Sequence, residues 1–78
     1  MLSLIMHRAR GLRFYRVEVS DTLFGEYLVE REWGRMGRAS GTRRTWFSNL
    51  REAAQAADRW RHRAQNRGYA LTERRYAK

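Results

Sequence analysis

An α+β domain is the class this sequence predicts: a small antiparallel sheet of three to four strands with one helix packed across one face. Three observations predict it. Two stretches near the start alternate apolar and polar residues with period two. A third short stretch follows a glycine-rich turn. An alanine-rich segment with period 3.6 comes next, opened by Ser48-Asn49 and closed by Gly68. Seventy-eight residues make one domain with a small core, so the ten aromatic residues, three of them tryptophan, must fill much of it.

Residues 1–11 carry Leu2, Leu4, Ile5 and Met6 followed by His7, Arg8 and Arg10. This run is too short for a signal-peptide core or a membrane span, and is expected as an N-terminal tail or an added edge strand. Residues 12–78 then form the domain proper. From Leu12 to Ser20, Tyr15, Val17 and Val19 share one face and Arg16 and Glu18 the other, the pattern of a half-buried strand. Ser20-Asp21-Thr22 and Gly25 supply turn chemistry. In the run Glu26 to Arg35, Tyr27, Val29, Arg31 and Trp33 share a face, opposite Leu28, Glu30 and Glu32. These two strands form a hairpin.

Glycines at 34, 37 and 41 mark the next turn, and Thr42 to Phe47 forms the third strand. Asn49 with Glu52 three residues later reads as a capping box. The helix extends to about Asn66, with Leu50, Ala53, Ala54, Ala57, Trp60 and Ala64 as its packing stripe. Tyr69 to Tyr76 is the candidate last strand.

Charge is the strongest bulk signal. Seventeen basic residues, sixteen of them arginine, stand against eight acidic ones, for a formal net charge of +9. The partner implied is an anion, and arginine forks suit phosphate. There is no cysteine, which excludes disulfides and thiolate metal sites. His7 and His62 stand far apart in sequence, so neither a metal site nor a cofactor is expected. The glycine spacing matches neither a dinucleotide fingerprint nor a P-loop. No activated nucleophile is visible, and the chain is read as not an enzyme.

The candidate binding residues are Trp33, Gly34, Arg35, Arg38, Arg43 and Arg44, which one hairpin would hold close together. Trp33 is open to two readings, a packed strand residue and a stacking surface for a base or sugar. Arg59, Arg63 and Arg67 recur at i, i+4 and i+8 late in the helix and form a secondary basic ridge, where the helix dipole also favours cations. Whether ridge and hairpin share a surface is not legible from spacing.

Trp33-Gly34-Arg35-Met36-Gly37-x3-Gly41, preceded by two strands and followed by a strand, a capped helix and Arg67-Gly68-Tyr69, resembles the WGR domain. That family is named for this tripeptide and is found in poly(ADP-ribose) polymerases and in several groups of bacterial proteins. The resemblance spans about residues 12–76. It implies a non-catalytic nucleic-acid-binding or docking module, DNA ahead of RNA, with a preference for ends or nicks. Trp33 and Arg35 match the family's motif positions, and a stand-alone bacterial-type member is the form that fits. The alternative is an adaptor that binds an acidic protein partner through the same basic surface. The chain is expected in the cytoplasm, as a monomer or weak homodimer, and not on a membrane.

Overall fold

The computed structural model of the chain describes residues 2–76. Its elements run β1 (Leu2–Arg8), β2 (Arg13–Asp21), β3 (Tyr27–Arg35), β4 (Arg38–Phe47), α1 (Leu50–Asn66) and β5 (Ala70–Tyr76). All five strands form one antiparallel sheet in the order β4-β3-β2-β1-β5. The α+β class holds; the strand count is corrected from three or four to five.

The extra strand is the N-terminal run, expected as a tail or edge strand. It lies inside the sheet, paired to β2 on one side and β5 on the other. Ile5 obscures its alternation in the sequence, yet Leu4 and Met6 are buried on the helix side while Ser3, Ile5 and His7 take the other. The four-stranded meander leaves β4 at one edge. From there α1 crosses the sheet and delivers β5 to the opposite edge, against β1.

Apolar alternation decides which face the helix covers. Leu4, Val17, Val19 and Val29 pack beneath Ala53 and Ala57, with Tyr15, Tyr27, Phe47 and Trp60 around them. The small alanines let the helix approach the sheet closely. Its buried residues are Ala53, Ala56, Ala57 and Ala64. Leu50 and Ala54, expected in that stripe, are exposed. At 100° per residue Ala54 and Ala56 flank the stripe on opposite sides, and the helix is rolled toward Ala56.

Both helix ends follow their sequence signals. Asn49 is the N-cap, its Oδ1 accepting from the Glu52 N–H at 2.9 Å. At the other end Gly68 adopts φ +95°, and the Tyr69 N–H donates to the Ala64 carbonyl. This reversal sends Tyr69 back toward the end of the sheet that carries Trp33.

The uncovered face is polar at its centre. Arg16 bonds Glu18 at 3.1 Å and Glu30 at 3.2 Å, and Arg44 donates to Glu30 at 2.7 Å. Arg16 also reaches Glu32 at 3.4 Å, so three of the acidic residues, Glu18, Glu30 and Glu32, are held on the side of the sheet away from the helix.

Candidate nucleic-acid interface

The hairpin of β3 and β4 is tighter than its glycines suggest. Only Met36 and Gly37 form the turn, Gly37 at φ +82°, and β4 begins at Arg38 and not at Thr42. The other two glycines serve close approach. Trp33 pairs with Gly41 and Gly34 with Ala39, so Ser40 is the extra residue of a bulge. A Cβ on Gly34 would lie 2.4 Å from the Arg38 carbonyl oxygen. One on Gly41 would lie 2.5 Å from Trp33 Cζ2, because the indole lies across that glycine. On the other side Trp33 stacks on Tyr15, ring centroids 6.4 Å apart. The indole is half-buried on the helix side of the sheet.

Pairing across the strands then aligns four arginines. Arg8 is the partner of Arg13, Arg13 of Arg35, and Arg35 of Arg38. Cross-strand partners share a face, so one lateral row of guanidinium groups crosses the helix side at this end of the sheet. At a strand spacing of about 4.8 Å the row is about 14 Å long. Arg8 is anchored, donating to the Arg67 carbonyl at 3.3 Å and to the Arg10 carbonyl at 3.1 Å.

Between this row and the end of α1 lies a hollow of about 360 Å³. Tyr15 and Trp33 form one wall, and Tyr69 meets Tyr15 edge-on at 6.0 Å. Arg8 lies over the Tyr69 ring at 5.3 Å. Arg31 reaches in from β3, its guanidinium carbon 3.9 Å from the Trp60 ring centroid. Its Nε is buried without a hydrogen-bond partner among the described residues. A buried donor left unpaired is costly, and an anion in this hollow would relieve it. No acidic residue lines the hollow.

The six hairpin residues do not form one surface. Trp33, Arg35 and Arg38 gather at the row. Arg43 stands on the helix side of β4 opposite Arg31, while Gly34 is buried within the bulge. Arg44 is on the other face, occupied by Glu30. That bond is the main reason the Glu30 carboxyl is held below the ordinary glutamate range. Glu30 and Glu32 both engage Arg16, and Arg35 enters no ion pair among the described residues.

The helix ridge divides as well. Arg67 reaches the hollow. Arg59 and Arg63 are exposed on the helix flank away from Ala54, Asp58 and Arg61, which border β1 and β5. Their flank is therefore the one toward β3, β4 and Arg43. Ridge and hairpin lie on the same side of the molecule.

Spacing alone missed Arg8, Arg13, Tyr15, Arg31 and Tyr69. Arg31 carried a signal, being the one charge on the face Tyr27-Val29-Arg31-Trp33. Arg8 carried none, since its alignment with Arg13 depends on β1 lying inside the sheet, and Arg13 is set beside Arg35 only by the register of β2 on β3.

A match to the WGR domain family model covers residues 1–76. The chain belongs to the WGR domain family. No curated protein and no solved structure matched it. Membership in this family of binding modules suggests nucleic-acid binding in general. The family match begins at residue 1, so it includes β1, which supplies Arg8 to the row. Among the described residues of this WGR domain no helix is long and apolar enough to cross a membrane. Nor do three His, Asp or Glu residues gather there as a metal site.

Proposed function

We propose that this WGR domain is a non-catalytic, cytoplasmic module that binds nucleic acid, DNA ahead of RNA, with a preference for ends or nicks. Phosphates lie along Arg8, Arg13, Arg35 and Arg38, and a base or sugar rests against Trp33 and Tyr15. The observation that carries this reading is the segregation of charge. Arg16 and Arg44 hold Glu18, Glu30 and Glu32 on one face, leaving the arginine row and its aromatic hollow without a carboxylate on the other.

Magnitudes agree with a backbone-tracking site. Duplex DNA carries one charge per about 1.7 Å of axis, so about 14 Å holds roughly eight phosphates, four to a strand. Four guanidinium groups match one strand. The preference for ends follows from the hollow, which lies under the helix terminus. A terminal nucleotide can turn into it, whereas a base stacked within a duplex cannot without being unstacked.

Fluorescence anisotropy with nicked, blunt 5′-phosphorylated and single-stranded DNA, and with RNA of the same sequence, tests the proposal. Tighter binding to nicked and phosphorylated ends, lost in Trp33→Ala and Arg35→Ala, is the expected result. Equal binding to every substrate, unaffected by both substitutions, would refute it and favour an acidic protein partner on the same basic surface.

A further inference from the structure

The two ends of the sheet carry complementary apolar features. At the end remote from the Trp33 hairpin, the loop between β2 and β3 presents Leu23 and Phe24, 99% and 88% exposed. The loop is not slack. Thr22 Oγ1 accepts from the N–H groups of Phe24 and Glu26, and the Thr22 N–H donates to the Glu26 carbonyl at 2.9 Å. Gly25 takes φ +77°, which closes the turn. Two large apolar side chains are thus held outward on an ordered tip, between the exposed carboxylates of Asp21 and Glu26.

At the hairpin end a second hollow, of about 480 Å³, is bordered by Leu12 and Met36, with Arg8 and Arg13 beside them. Leu12 is 68% exposed and sits at φ +49°, a left-handed conformation unusual for leucine. The Met36 N–H donates to the Leu12 carbonyl at 2.7 Å, so the β1–β2 turn and the Trp33 hairpin are tied together at this mouth. The tip is apolar and flanked by acids; the hollow is apolar and flanked by arginines.

We propose that copies of this chain associate head to tail, the Leu23–Phe24 tip of one entering the Leu12–Met36 hollow of the next. The two surfaces differ, so the contact is heterologous and can repeat from one copy to the next. Nine-residue strands separate tip from hollow by about 27 Å, too far for a tip to reach the hollow of its own chain. The contact is small, which places it among weak, transient interfaces, and its flanking charges make it sensitive to salt.

Analytical ultracentrifugation of nucleic-acid-free protein, over roughly micromolar to millimolar concentration, tests the proposal. The average mass should rise with concentration above the 9.4 kDa of one chain, and less so in high salt. Leu23→Ser/Phe24→Ser and Leu12→Ser/Met36→Ser each change only exposed residues, and each variant alone should remain monomeric. An equimolar mixture of the two should form dimers and nothing larger, because one intact tip meets one intact hollow. A monomer at every concentration, association unaffected by either double variant, or a mixture that stays monomeric would each overturn the proposal. DNA binding by the Leu23→Ser/Phe24→Ser variant, whose arginine row is intact, reports separately on the nucleic-acid proposal.

Discussion

Replacing Gly34 by alanine is the most demanding test of the hairpin geometry. The new methyl carbon would lie 2.4 Å from the Arg38 carbonyl oxygen, 2.6 Å from the Ser40 nitrogen and 2.9 Å from Ala39 Cα. All three are backbone atoms of β4, so no side-chain rotation relieves the overlap. The bulge must open or the strands must part, and overpacking of this kind costs about 1–3 kcal/mol. The backbone origin of the clash puts Gly34→Ala in the upper part of that range. At about 4–8 °C per kcal/mol for a domain this small, a cost of about 2–3 kcal/mol lowers Tm by roughly 8–24 °C. Thermal unfolding followed by circular dichroism measures it. Gly37→Ala is the control: nothing lies within 4 Å of its added carbon, and only its φ of +82° is unfavourable, worth about 1–2 kcal/mol. A Gly34→Ala protein melting within about 2 °C of the parent, against that estimate, would refute the close approach of β3 and β4 at the bulge.

Arg31→Met keeps much of the side-chain volume and removes the unpartnered Nε. Stability should change by less than about 1 kcal/mol, because the cation–π contact with Trp60 and the unpaired donor offset one another. Affinity for 5′-phosphorylated DNA should fall on the order of tenfold, the loss of one charge-assisted hydrogen bond; denaturant titration and anisotropy measure the two. Arg44→Ala should leave DNA affinity and its salt dependence unchanged, since Arg44 faces away from the row and is occupied by Glu30. Its stability cost, under about 1 kcal/mol for a partly exposed pair, should depend on pH. Glu30 titrates below its ordinary 4.5, first because Arg44 donates to it. The stabilisation is therefore complete above that value and lost as pH falls through the lowered folded value. Urea midpoints of parent and Arg44→Ala, distinct at pH 7, should converge well into the acid range.

Residues whose role is set by neighbours in sequence were legible. Asn49 and Glu52 announced the helix start, Gly68 its end, and the alternation Tyr15-Val17-Val19 the helix-facing side of β2. The hairpin containing Trp33 was placed correctly, although its turn proved to be two residues, because Gly34 and Gly41 accommodate strand contact and not the turn. Residues whose role depends on distant pairing were not legible. Ile5 masked the alternation of β1, and without β1 inside the sheet nothing connects Arg8 to Arg38 thirty residues later. Adjacent residues misled in the opposite sense: Arg43 and Arg44 are neighbours in sequence but stand on opposite faces of β4, one beside Arg31 and the other bound to Glu30.

The salt dependence of binding to a 5′-phosphorylated duplex, for the parent chain and Arg35→Ala, tests the proposed interface most directly. The four row arginines, each neutralising one phosphate, contribute about −3.6 to the slope of log K against log salt, at about −0.9 per contact, beside the contact made by Arg31 in the hollow. Arg35→Ala should bring the contribution of the row to about −2.7 and weaken binding at every salt concentration. Parallel lines of equal affinity would contradict the account, leaving Arg35 outside the contact and the net charge of +9 as a general attraction without a site.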